Sequence, residues 1–275
     1  MKKNSILLIV MLSFALLLAA CGNNNEAEPE NTGGADENTN EEDLLAKVKE
    51  EGELLIGTEG TYPPFTFHDD SGELTGFDVE VAKEVAERLG VEPVFMETQW
   101  DAMFAGLDSK RFDMIANQVG IRPDRQEKYD FSEHYITSSG VLITHNDNDT
   151  IKDFEHIEGL KAAQSMTSNY ADIAREYGAE IVGVEGFNQA IELINSQRAD
   201  VTINDNLSFL DFKKQKPDAP VKMVATMDDA SQSGFMFRKG NEPFIEEVNK
   251  AIEEMIEDGT YLEISEKWFG EDVLN

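Results

Sequence analysis

The chain has 275 residues, 55 acidic side chains against 23 basic ones, and a formal net charge of −32 at pH 7. So acidic a surface repels nucleic acid and anionic lipid, which excludes a nucleic-acid-binding role. The single cysteine, Cys21, excludes an intramolecular disulfide, so stability has to come from a hydrophobic core.

In chain order, Met1-Lys2-Lys3 is a positive start, Ile6 to Ala20 is almost wholly apolar, and small residues lead into Cys21. This is the layout of a secretory signal over residues 1–20. The run is short of the roughly 20 apolar residues that a spanning helix needs. Leu18-Ala19-Ala20-Cys21 resembles the bacterial lipobox. That resemblance implies cleavage before Cys21, acyl chains such as palmitate attached through its thiol, and a lipid anchor on the extracellular face of a Gram-positive cell membrane. An ordinary cleaved signal and a buried core cysteine are the plainer alternatives. Residues 21–43 carry Asn, Gly and many acids but no basic residue, the composition of a disordered tether.

Periodic sequence starts near Leu44. Leu54 to Gly57 reads as a strand, and Phe77, Val81, Ala82, Val85 and Leu89 share one face of a helix that Gly90 stops. Val94 to Met96, Ala102 to Leu107 and Met114 to Val119 continue strand, helix, strand. After Val141-Leu142-Ile143 a second series runs through Leu160 to Ala163, Ser168 to Tyr177, Glu180 to Val184, a helical face on Phe187, Ala190, Ile191 and Ile194, and Ala199 to Asn204. The chain then returns through Phe235-Met236-Phe237 to a long helix striped by Phe244, Val248, Ile252 and Met255. This alternation predicts an α/β fold of parallel-rich sheets covered by helices, in two lobes crossed twice, near Ser139 to Leu142 and Ser231 to Gly234. The expected division is a first lobe over 44–140, a second over 141–232 and a return segment over 233–275.

Gly57-Thr58-Glu59-Gly60-Thr61-Tyr62-Pro63-Pro64-Phe65 and Leu74-Thr75-Gly76-Phe77-Asp78-Val79-Glu80 resemble the opening of the amino-acid-binding proteins of ABC importers. Asp258-Gly259-Thr260 and Lys267-Trp268-Phe269-Gly270 resemble that family's closing signature. Glu97 to Asp101, Asn117 to Gly120 and Ala163 to Tyr170 are similar to its cystine-binding branch. The resemblance implies a periplasmic-binding-protein-like Venus flytrap with two hinge strands, acting as a monomer that hands its ligand to an ABC permease and its ATPase.

A free amino acid taken out of water needs partners of both signs: a forked arginine for its carboxylate and an acid for its ammonium. The resemblance places Arg125 in the first role and Asp205 in the second. On residue type alone, Arg125 reads first as one of a solvated set with Arg122 and Lys128, and Asp205 reads equally as the cap of a helix starting near Leu207. Glu59 matches an acidic position near the ligand's amino end; its alternative is a turn residue. Tyr62 and Trp100 match aromatic positions flanking the ligand side chain, with core packing as the alternative. Asp101 reads as a helix N-cap beside Trp100. Asn117, Gln118 and Gly120 end one strand, and Gly120 stands where the basic-amino-acid branch has a hydroxyl. Thr167, Ser168 and Asn169 open a helix whose N–H groups suit a carboxylate, with simple capping by Ser168 as the alternative.

His68, His134, His145 and His156 lack metal-ligand spacing, and no phosphate loop, dinucleotide fingerprint or nucleophile elbow is present, so neither metal nor cofactor is expected. A flytrap-fold dehydratase-like enzyme, a receptor for another polar amino acid and a non-transporting sensor are the competing readings.

Overall fold

The computed structural model describes residues 43–275; Cys21, the signal segment and the tether ahead of Asp43 lie outside them. The first lobe opens with α1 (Leu44–Glu51) and β1 (Glu53–Thr58). Three short strands follow as a separate meander: β2 (Thr61–Tyr62), β3 (Thr66–His68) and β4 (Leu74–Thr75). Next come α2 (Phe77–Leu89), β5 (Glu92–Glu97), α3 (Trp100–Asp108) and β6 (Met114–Gly120). The one-turn helix α4 (Pro123–Gln126) leads to β7 (Tyr129–Phe131) and β8 (Ile136–Ser138).

The second lobe contains β9 (Gly140–His145), β10 (Lys161–Gln164), α5 (Asn169–Glu176), β11 (Glu180–Gly183) and α6 (Phe187–Asn195). It continues with β12 (Val201–Asp205), α7 (Asn206–Gln215) and β13 (Val221–Thr226). The chain returns through β14 (Ser231–Arg238), α8 (Glu242–Asp258) and α9 (Thr260–Phe269).

Local sequence explains the helices that carry each lobe. On α2, Phe77, Val81, Ala82, Val85 and Leu89 are all buried, and the Gly90 N–H turns back to the carbonyls of Ala86 and Glu87. Apart from Ala82, each of these side chains contributes about 1.5–3 kcal/mol on burial. Gly76 precedes this helix at φ +129°, where a Cβ would lie 2.2 Å from the Phe65 carbonyl oxygen, so the meander can close on α2 only with glycine there. The α8 stripe of Phe244, Val248, Ile252 and Met255 is buried against the same core as α2.

The first sheet has the order β5-β1-β6-β14-β7, with β8 also paired to β14. Strand β1 is parallel to β5 and β6, whereas β14, arriving from the other lobe, is antiparallel to β6, β7 and β8. The second sheet runs β11-β10-β12-β9-β13, with β10 parallel to both neighbours and β9 antiparallel to β12 and β13. Alternating strand and helix thus yields parallel central strands, while the two crossing strands enter against them.

Ser139 alone separates β8 from β9. The return passes through residues 227–230, a little before the Ser231 to Gly234 crossing expected from sequence, because Ser231 already pairs with Ser138 in the first sheet. The Met227 N–H bonds to the Gly140 carbonyl, so the two crossings lie side by side. The carboxyl ends of β1, β6, β10 and β12 all reach the space between the lobes, where open α/β sheets hold ligands.

Candidate ligand-binding cleft

Between the lobes lies a narrow cavity of about 60 Å³, lined by polar and aromatic side chains of both. Six of the residues picked out from sequence line it: Glu59, Tyr62, Trp100 and Asn117 from the first lobe, Ser168 and Asn169 from the second. Gln118, Gly120, Arg125, Thr167 and Asp205 stand behind or beside that lining.

Glu59 follows β1 and is clasped by Asn117 of β6. The Asn117 Oδ1 accepts from the Glu59 N–H at 2.8 Å, and its Nδ2 donates to Glu59 Oε2 at 2.7 Å. Burial pushes the Glu59 carboxyl up to about 7, opposed by the Asn117 bond and the Trp100 backbone N–H. Its Oε1 faces Gly186 of the other lobe, 3.9 Å from where a Cβ would stand. The Tyr62 hydroxyl donates across the cleft to Asn204 Oδ1 at 2.8 Å, while its ring packs against the cores of both lobes. For Tyr62, core packing and cleft lining coexist.

Arg125 sits in α4, just after β6, and is 7% exposed. Its Nη1 donates to the Gly120 carbonyl at 3.0 Å, and the guanidinium lies 5.4 Å from the Trp100 ring and 5.5 Å from the Phe104 ring. Two such aromatic faces hold a cation with about 0.5–2 kcal/mol each. Desolvation lowers its pKa to about 10, so it stays charged at neutral pH. Among the described residues, its other N–H groups have no hydrogen-bond partner. Arg122 is of a different kind: more exposed, it pairs with Asp124 at 2.9 Å and with Asp172 across the cleft at 3.4 Å.

Asp205 is fully buried at the end of β12. One oxygen caps α7 by accepting from the Leu207 N–H at 2.8 Å, the helix-cap reading of this residue. The other accepts from Ser138 Oγ at 2.5 Å and from Gln118 Nε2 at 2.7 Å. Burial raises its pKa, against the pull of those bonds. Gln118 therefore ties β6 to the second lobe beside the hinge. It does so from a left-handed backbone, φ +48°, whose N–H donates to Asp78 Oδ2 at 2.5 Å. Asp78 is itself buried at the start of α2, which pushes its carboxyl up to about 8.

The structure changes the reading of one helix start and keeps that of another. Asp101 is not the N-cap of α3; Gln99 holds that place without a side-chain bond. The Asp101 carboxylate instead crosses the cleft, accepting from Thr167 N–H at 3.0 Å, Thr167 Oγ1 at 2.7 Å and Met166 N–H at 3.3 Å. The physical reason is the next lobe: the Met166 and Thr167 N–H groups need an acceptor, whereas at the α3 start the Trp100 N–H already bonds Glu59 and the Ala102 N–H bonds the Gln99 carbonyl. Ser168 does cap α5, accepting from Ala171 N–H at 3.0 Å while lining the cavity.

Of the lining residues that sequence reasoning did not single out, three bear on the chemistry of the cleft. Asn204, one position before Asp205, receives the Tyr62 hydroxyl. Gly186 is the N-cap of α6 and offers it no side chain. Gln164 lies at the carboxyl end of β10 with its Nε2 buried and without a partner. Its place at a strand end, within the Ala163 to Tyr170 stretch that resembles the cystine-binding branch, is the signal that could have marked the last of these.

Two lobes on paired hinge strands, closed by side-chain bonds over a polar and aromatic cavity, define a bilobed flytrap receptor of the periplasmic-binding-protein-like fold. The chain belongs to the bacterial extracellular solute-binding proteins, family 3, which match residues 54–271. It is 50% identical over 244 residues to the L-cystine-binding protein TcyA of Bacillus subtilis strain 168, covering 88% of this chain and 91% of the relative. Among solved structures, the L-cystine solute receptor of Neisseria gonorrhoeae in its unliganded open conformation is 47% identical. It aligns with a TM-score of 0.56, covering 84% of this chain and 99% of that one. An ancestral arginine-binding protein bound to arginine is 36% identical, yet aligns with a TM-score of 0.75 over 79% of this chain and 98% of that one. The better fit to a ligand-bound relative, despite lower identity, agrees with the cross-lobe bonds of Asp101 and Tyr62. Like its relatives, the chain is a binding protein and not an enzyme.

Proposed function

We propose that this protein captures L-cystine outside the cell and delivers it to an ABC permease. The observation that carries this reading is a cavity wall with two polar poles and an aromatic between them. Trp100 holds the Arg125 guanidinium against its ring and sends its backbone N–H to Glu59. One zwitterion would use Arg125 and Asp205, and the other Glu59 and Asn117. The disulfide would lie against Trp100 and Tyr62, where sulfur beside an aromatic ring contributes roughly 0.3–1.5 kcal/mol. Close identity to a cystine-binding relative supports the same choice.

Calorimetric titration of ligand-stripped protein with each amino acid and with cystine tests it. Cystine should bind most tightly, and tighter binding of arginine or glutamine would replace the ligand while leaving the receptor class intact.

The proposal includes a lipid anchor at Cys21, which keeps a monomeric receptor at the extracellular face of the membrane. Each buried CH₂ of the acyl chains adds roughly 0.8 kcal/mol, so two chains hold firmly where one is marginal. Cys21→Ser should lose the acyl mass and membrane retention while ligand binding persists; unchanged retention would refute the anchor.

A further inference from the structure

We propose that the amino end of α6, together with the Gln164 side chain, forms a subsite for the carboxylate at the far end of the ligand. The inference rests on the cystine reading and specifies how its second zwitterion is held. Helix α6 is nine residues long, and its first internal bond runs from the Ala190 N–H to the Gly186 carbonyl. The N–H groups of Phe187, Asn188 and Gln189 ahead of it have no partner one turn back. Its N-cap, Gly186, supplies no side-chain oxygen to satisfy them, and Gly186 and Phe187 both line the cavity. Unsatisfied N–H groups at the positive end of a helix attract an anion.

Gln164 is the independent observation. It lines the same cavity, is only 3% exposed, and its Nε2 is buried with no hydrogen-bond partner. An unpaired buried donor is costly, so an acceptor arriving from the cavity is strongly favoured. Beside this donor set stands Glu59, whose Oε1 would lie 3.9 Å from a Cβ on Gly186. An anion acceptor for the ligand's ammonium and a group of donors for its carboxylate therefore sit side by side. A free carboxylate far from the first one is the group that completes them, which a simple thioether or a basic side chain lacks.

The test compares L-cystine with the mixed disulfide of cysteine and cysteamine, which keeps the disulfide and far ammonium but has no far carboxylate. By calorimetry, the native protein should prefer cystine by about tenfold or more, the scale of one or two lost hydrogen bonds to a charged group. Gln164→Leu should reduce that preference several-fold, mainly by weakening cystine. Gly186→Ser caps α6 with a neutral hydroxyl, so thermal stability should hold or rise while cystine binding falls and its preference over the mixed disulfide shrinks. If cystine binds well and its preference over the mixed disulfide is the same in all three proteins, the subsite is wrong and the cystine reading stands. If native protein does not bind cystine, the ligand reading fails and the subsite fails with it.

Discussion

The two ends of the cleft are furnished in opposite ways. At the Asp205 end the protein occupies the acid itself and fixes the cation in place: Ser138, Gln118 and the Leu207 N–H take the carboxylate, and Gly120 with two aromatic rings positions Arg125, leaving its remaining N–H groups for a ligand. At the Glu59 end, Asn117 takes one carboxylate oxygen while Gln164 Nε2 is unpaired and α6 begins without a side-chain cap. An acid already bonded and a cation already fixed in place need little reorganisation when a ligand arrives. The second keeps an unpaired donor and an uncapped helix start, and on the proposed reading discrimination between amino acids would lie there.

The largest expected effect comes from the preorganised end. Arg125→Ala should cost roughly 2–5 kcal/mol of ligand affinity, about 30- to several-thousand-fold, because on the proposed reading it removes the partner of the ligand carboxylate. Arg122→Ala should cost much less, since that side chain is half solvated and already paired with Asp124. Equal losses in calorimetry would show that the two arginines are not sorted as their surroundings imply.

Next is the cross-lobe carboxylate. Asp101→Ala removes three bonds to Met166 and Thr167 at an exposed edge of the cleft, and should weaken ligand by about tenfold. Small-angle scattering should then show a larger radius of gyration at subsaturating ligand than for native protein, through a shift toward the open population. Unchanged scattering and affinity would mean that closure does not depend on Asp101.

Trp100→Ala touches both ends at once, since this ring supports Arg125 and lines the cavity toward Glu59. Cystine should weaken more than serine or glutamine, whose side chains place no sulfur against the ring. A uniform loss across ligands would assign the ring to Arg125 alone.

The smallest effects are in pH dependence. Glu59 rises from 4.5 to about 7 and Asp78 from 3.8 to about 8, both chiefly through desolvation. The unfolded chain gives up these protons near pH 4, whereas the folded protein keeps them until pH 7 to 8. Unfolding therefore releases protons in between, and the stability of ligand-free protein should fall as pH rises through that window. Glu59 has to ionise to accept an ammonium, so cystine affinity should rise with pH up to about 7 and flatten above it. Titrations in buffers of different ionisation enthalpy should show proton release on binding near pH 6, and Glu59→Gln should abolish it.

Much of the architecture was legible in the sequence because it follows from periodicity. The stripe from Phe77 to Leu89, the stop at Gly90 and the stripe from Phe244 to Met255 each determine a helix and the face it buries. The alternation of those helices with short apolar runs determines an α/β fold in two series, and the motifs around Glu59, Asn117 and Arg125 bring family membership within reach. Tertiary structure decided what each polar group does. Asp101 abandons its own helix for the loop of the other lobe, and Gln118 spans from β6 to Asp205. Gln164, inconspicuous at the end of a strand, becomes an unpaired donor only when α6 and Glu59 close around it. Hydrophobic spacing is a local property that one chain segment carries alone, whereas a hydrogen-bond partner or a shifted pKa belongs to whichever groups the fold brings within a few ångströms.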